Sequence, residues 1–167
     1  MIQPNIFVIL LTALVPMVIG FIWYNSKTFG PAWMKAADMT EEKMKGANML
    51  RIFGLTYLFS FFIAFAMPGI VIHQFHIYST VMGDPDLKDP NSALSLLLKG
   101  FYEKYGGNFR TFKHGGLHGT IAGIVVALPI IAINALFERK GFKYVAINAG
   151  YWIITLGLMG GIICAFT

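Results

Sequence analysis

The chain has 167 residues, 56% hydrophobic and 13% charged, where an average soluble domain carries about 25% charged residues. That composition excludes an ordinary soluble globule, and the length fits a single transmembrane domain, 1–167. The formal charge of +5 lies in short segments between apolar runs, the pattern of membrane-flanking charge, so the expected partner is the lipid bilayer and not nucleic acid.

The first apolar run covers 5–24 and contains no Asp, Glu, Lys or Arg. A hydrocarbon core takes roughly 20 helical residues to cross, and lipid offers backbone groups no partners, so a helix is the default. The run follows Met1-Ile2-Gln3-Pro4 with no basic residue and ends in Trp23-Tyr24 rather than at a small-residue cleavage site. It therefore reads as a retained span, not a signal peptide. Next, 40-TEEKMKGANMLR-51 opens on Thr40 as an N-cap, with Glu41 and Glu42 in the first turn. It is expected to run as helix into a second span over 52–72. A long loop over 73–116 follows, with turn chemistry in 83-GDPDLKDPN-91. Then comes 92-SALSLLLKGFYEKY-105, which suits a short helix lying on the membrane surface or on the bundle. Two further spans, 117–137 and 144–166, are joined by a short loop and so should form an antiparallel hairpin. Pro16, Pro68 and Pro129 fall inside spans and read as kinks that neighbouring helices relieve. The expected fold is an all-α membrane protein: four transmembrane helices in an antiparallel bundle, with a short helix in the long loop between spans two and three.

Four spans put both termini on one side. Lys27, Lys35, Lys43, Lys45 and Arg51, together with Arg139, Lys140 and Lys143, outnumber Lys88, Lys99, Lys104, Arg110 and Lys113 of the long loop. The positive-inside rule then places the first and third loops in the cytoplasm and both termini outside. Gly115, Gly119 and Gly123 in the third span, and Gly157 and Gly161 in the fourth, recur at i, i+4. Such spacing lets helix backbones approach closely, either within the hairpin or against a homo-oligomer or membrane partner. The single cysteine, Cys164, has no internal disulfide partner and reads as a small buried hydrophobe.

The chemistry-bearing residues are the histidines. His73 and His76 leave the second span at i, i+3; His114 and His118 enter the third at i, i+4. Both spacings stack side chains on one helical face, and both pairs belong at the same membrane face. Four imidazoles suit zinc, copper or iron by ligand type, with Asp84, Asp86, Asp89 and Glu103 as acidic neighbours in the same loop. The other reading is four polar residues at a membrane surface, and Gly115-Gly116 between the second pair argues against a regular helix there. No H-E-x-x-H, nucleophile elbow or phosphate loop is present, so no catalytic residues are assigned.

Two stretches carry a resemblance. In 20-GFIWYNSKTFGPAWMK-35 the residues Gly20, Trp23, Tyr24, Phe29, Gly30 and Trp33 fit a Gly-x-x-Trp-Tyr-x-x-x-x-Phe-Gly-x-x-Trp run, and Asn148, Ala149, Gly150 and Tyr151 open the last span. The chain resembles a family of bacterial four-span integral membrane proteins of unknown function, and its 110-RTFKHGGLHGTIAG-123 segment resembles a longer-looped, Bacteroidetes-like subgroup. The resemblance implies a bacterial inner-membrane protein and no activity, substrate or cofactor. Physically, Trp23, Tyr24, Phe29, Gly30 and Trp33 read as an interfacial anchor: aromatic residues at the boundary, Phe29-Gly30-Pro31 as a turn, Trp33 returning to the surface. The expected function is a non-enzymatic membrane module acting through helix packing or partner association. The alternatives are a transition-metal-binding protein using His73, His76, His114 and His118, and an oligomeric small channel or carrier.

Overall fold

The computed structural model describes residues 4–167, so the first three residues of the expected domain lie outside it. Among its described residues the regular elements are all helical, with the α-helices in the order α1 (Ile6–Thr12), α2 (Val15–Trp23), α3 (Gly30–Ala37), α4 (Glu41–Met44), α5 (Met49–Val71), α6 (His73–Thr80), α7 (Ala93–Tyr105), α8 (Phe112–Ala122), α9 (Leu128–Phe137) and α10 (Phe142–Phe166). Four helical stretches are long and apolar enough to cross a membrane: Ile6–Trp23, Met49–Val71, Phe112–Phe137 and Phe142–Phe166. Large apolar side chains such as Phe7, Phe21, Phe59, Leu136 and Phe137 point outward from them. A surface so apolar suits lipid and not water.

The last span is the centre of the bundle. In its most apolar stretch 44% of residues are buried, against 11% for Phe112–Phe137, and it packs on α1, α2, α3, α5, α8 and α9. The core around it joins Ile9 and Ala13 of the first span, Ala64, Met67 and Val71 of α5, and Leu156, Met159, Ile163 and Cys164 of α10. Against α8 the approach is backbone to backbone. A Cβ on Gly115 would collide with Cys164 and the Gly160 carbonyl, and one on Gly119 with the Leu156 carbonyl. One on Gly123 would stand 2.6 Å from the Ile153 Cα, one on Gly157 2.7 Å from the Thr120 hydroxyl, and one on Gly161 2.7 Å from the Phe112 ring. The glycine stripes therefore close the hairpin within the chain, and Gly160, outside the i, i+4 pattern, is the residue that meets Gly115.

Prolines reshape two spans locally. The first span is two helices, not one, because Pro16 has no N–H for the Thr12 carbonyl. The chain tightens there, with Leu14 N–H bonded to the Leu11 carbonyl and Met17 N–H to that of Leu14, both at 3.1 Å. In the third span a wide π turn over Gly123–Ala127 sits just before Pro129, with the Leu128 N–H reaching back to the Gly123 carbonyl. An added residue in the turn takes up the clash that a proline ring causes in an α-helix. The kink is relieved inside the helix rather than by a neighbour.

Thr40 caps α4 and the expected short helix forms as α7, while two other loop expectations are corrected. Thr40, Ser92 and Thr111 accept hydrogen bonds from Lys43, Ser95 and His114 N–H groups as N-caps. However, α4 does not continue into the second span. Gly46 at φ 81° turns the chain, and Asn48 then caps α5 afresh through the Arg51 N–H. Gly30-Pro31 is not a turn either: it starts α3, with proline in the first helical turn, where its missing N–H costs nothing.

The aromatic run after the first span docks on α10. Trp23 Nε1 donates to the Ile147 carbonyl at 3.1 Å, and Tyr24 donates to Asn148 Oδ1 at 3.0 Å. Tyr151 donates to the Pro16 carbonyl at 2.8 Å. Trp23 lies over Gly150, where a Cβ would come within 3.2 Å of its ring, and a Cβ on Gly30 would stand 2.5 Å from the Tyr24 and Asn25 carbonyl oxygens. Phe29 packs on Trp23 at 4.4 Å and Trp33 on Tyr24 at 5.4 Å between ring centroids. These residues thus pack the turn after the first span onto α10 within the chain. Asn148 is committed to Tyr24 and to the Tyr144 carbonyl.

Candidate metal centre

The site is built where α5 stops. With Pro68 in its last turn, α5 ends at Val71, and Ile72 adopts an extended conformation (φ −114°, ψ 101°) before α6 restarts at His73. The break turns His73 towards the start of α8. It also frees the Gly69 carbonyl, which a continuous helix would bond to the His73 N–H. His76 takes that carbonyl through Nε2 at 2.6 Å. A carbonyl only accepts, so the His76 Nε2 carries a proton and caps the helix end.

On α8, the Thr111 cap makes His114 the third helical residue, and the stretch through Gly115-Gly116 is regular helix. Gly115 and Gly119 press onto α10. His114 and His118, each one position earlier, fall about 100° around the helix and face α6. His114 Nε2 lies 3.0 Å from His73 Nε2. The His118 ring stands 4.9 Å from His73 and 4.5 Å from His114 between centroids. One nitrogen from each of the three rings lies within 4.8 Å of the other two. At this distance one Nε2 presents its N–H and the other its lone pair. A metal ion held by the three rings would occupy the space between these nitrogens. Ligand nitrogens of a tetrahedral zinc, with bonds of about 2.0–2.1 Å, stand roughly 3.3 Å apart, close to the 3.0 Å between His73 and His114 Nε2.

The structure thus unites His73, His114 and His118 and leaves His76 outside them. Among the described residues no carboxylate joins the group. Asp84 and Asp89 instead accept from the Asp86 and Asn91 N–H groups in their own turns.

Sequence spacing missed the residues that hold the site. Phe109 sits in the left-handed region at φ 61°, an uncommon conformation for a bulky side chain. Its ring stacks on His114 at 5.1 Å and meets His73 edge-on at 6.3 Å. The strained turn is held from three sides. Cys164 Sγ donates to the Phe109 carbonyl at 3.4 Å. The Arg110 side chain donates to the carbonyls of Cys164, at 3.0 Å, and Thr167, the free acceptors at the negative end of α10. Buried Gln74 donates to the carbonyls of Tyr105 and Asn108 at 3.0 and 2.6 Å, while Tyr102 donates to the Gln74 carbonyl at 3.0 Å. Burial raises the Tyr102 hydroxyl above its ordinary range, so it stays a proton donor here. The one sequence signal for any of this is Gly106-Gly107, which marks a turn and says nothing of what the turn grips.

No curated protein and no solved structure matches the chain. Residues 7–164 match the model of a protein family of unknown function, DUF1761, and the chain belongs to that family.

Proposed function

We propose that this protein is a multi-pass membrane protein that binds a transition-metal ion through His73, His114 and His118. The observation that carries the reading is the gathering of three imidazole nitrogens within 4.8 Å from two helices far apart in sequence. An all-nitrogen set suits zinc, copper or iron and not the hard cations, which take oxygen ligands. Three protein ligands leave one coordination position open, the arrangement of an exchangeable rather than a sealed structural site. We read it as a binding site, with no acid or base of the chain assigned to turnover. The distribution of Lys and Arg supports placing this face in the periplasm of a bacterial inner membrane, with both termini on the same side. The length of the loop carrying the histidines supports the longer-looped, Bacteroidetes-like placement.

The test is metal content of the detergent-purified protein by mass spectrometry. Near-stoichiometric zinc, copper or iron is expected, lost in His73→Ala, His114→Ala and His118→Ala but kept in His76→Ala. Metal that is absent after reloading, or that survives all three substitutions, sinks the reading.

A further inference from the structure

Beside His73 runs an open groove of about 330 Å³ lined by Gln74, Ile77, Phe101, Tyr105 and Phe109. Its walls are almost wholly apolar, because Gln74 spends its amide on the two carbonyls behind it. Two residues belong to both places: His73 is a candidate ligand and a groove wall, and Phe109 lies against both His73 and His114. The groove therefore adjoins the three-histidine cluster at His73. α7 supplies Phe101 and Tyr105 to the groove and carries Leu97, 70% exposed, on its outer surface. An amphipathic helix with leucines turned outward lies flat at a lipid surface, so the groove opens where amphiphiles concentrate.

We propose that this groove takes the apolar part of a small amphiphile whose nitrogen or oxygen head group occupies the open position on the metal. The inference rests on the metal reading above. It adds a ligand class: neither a hydrophilic solute nor a free ion, but a molecule delivered from the membrane boundary. Phe101 and Tyr105, with ring centroids 5.2 Å apart, are the specificity-determining residues, and His73 is where recognition of the head group meets recognition of the tail.

The experiment uses the full chain in detergent, loaded with cobalt(II), whose visible spectrum reports changes at the open position. The probes are 1-alkylimidazoles from methyl to hexyl. Each buried methylene is worth about 0.8 kcal/mol, so affinity should rise roughly three- to fourfold per carbon until the groove is full. Phe101→Ala should flatten that slope while leaving the cobalt spectrum and the affinity for imidazole itself unchanged. Phe101→Trp, which fills the groove and keeps the helix surface apolar, should cost hexylimidazole far more than imidazole. Partition into micelles is common to all variants and cancels in the comparison. If cobalt does not bind, or its spectrum is indifferent to His114→Ala, the metal reading fails. If cobalt binds and imidazole ligates but chain length has no effect, or Phe101→Ala and Phe101→Trp leave the slope intact, the groove is no ligand site and the metal reading stands alone.

Discussion

Tyr24 donates to Asn148 Oδ1 across 3.0 Å, and through that bond the turn after the first span is fastened to the start of the last. Asn148 passes the contact on by donating to the Tyr144 carbonyl one turn earlier, at 2.8 Å. The ring of Tyr24 lies 5.3 Å from that of Tyr151. Burial, with the neighbouring phenols of Tyr151 and Tyr144, raises the Tyr24 hydroxyl above its ordinary range, so it remains protonated and able to donate.

Tyr24→Phe removes one hydrogen bond and strands one acceptor. Polar pairs in membrane proteins average about 0.6 kcal/mol, so a loss of roughly 0.5–1.5 kcal/mol is expected in thermal unfolding in detergent. Asn148→Ala breaks two bonds and should cost more. The double variant should cost less than the sum, because both changes remove one shared interaction. Strict additivity would show that the two residues act separately.

The glycines of α8 give a sharper contrast. A Cβ at Gly119 would overlap the Leu156 carbonyl, whereas one at Gly116 would sit 3.5 Å from the Gly157 carbonyl, an ordinary contact. Gly119→Ala must push the two helices apart and should destabilise by about 1–3 kcal/mol. Gly116→Ala gains helix propensity and should be neutral or slightly stabilising. Melting curves of the two variants decide the point, and equal effects would contradict the packing described.

How much of this was legible in the sequence follows from how local each feature is. Apolar runs announce the spans, and Thr40 and the histidine spacing act over three or four residues, so they are readable. The docking of Trp23 on Ile147 is not, because nothing near either residue names its partner. His76 shows the limit within the site itself. Its spacing from His73 matches a ligand pair, but the helix ends at Val71 and frees the Gly69 carbonyl, which then takes the ring. The break in the first span was readable as a proline and not as two helices, since the tightening at Leu14 depends on which carbonyls find other donors.

Lys140 links the two loops on the far side from the histidines. Its ammonium bonds Asp38 Oδ2 at 2.5 Å and the Ala37 carbonyl at 3.1 Å, at the end of α3. The hydrogen bond and charge of Lys140 hold the Asp38 carboxyl below the usual carboxylate range, although it is fully exposed. A carboxyl depressed in the folded state stabilises at pH above its unfolded value and stops doing so as pH falls through its folded value. Wild type should therefore exceed Asp38→Asn in melting temperature by a small margin at pH 7, and the gap should close in acid. In a Lys140→Met background the Asp38→Asn gap should shrink to the smaller share that the Lys43 charge supplies, and an undiminished gap would assign the effect to another group.

Thr12 carries the last prediction, because its hydroxyl is buried and has no hydrogen-bond partner. It lies four residues before Pro16, at the break in the first span and against the core formed by Ile9, Ala13 and α10. A buried hydroxyl without a partner costs about 1–3 kcal/mol of desolvation, and replacing it with an apolar group of the same shape removes that cost. Thr12→Val should therefore raise the melting temperature, by an amount worth roughly 1 kcal/mol. The opposite sign would mean that the hydroxyl has a partner at the helix break, such as an ordered water bridging to the Thr12 carbonyl that Pro16 leaves without an amide. Water-to-hydroxyl cross-peaks in Thr-labelled protein would then identify it.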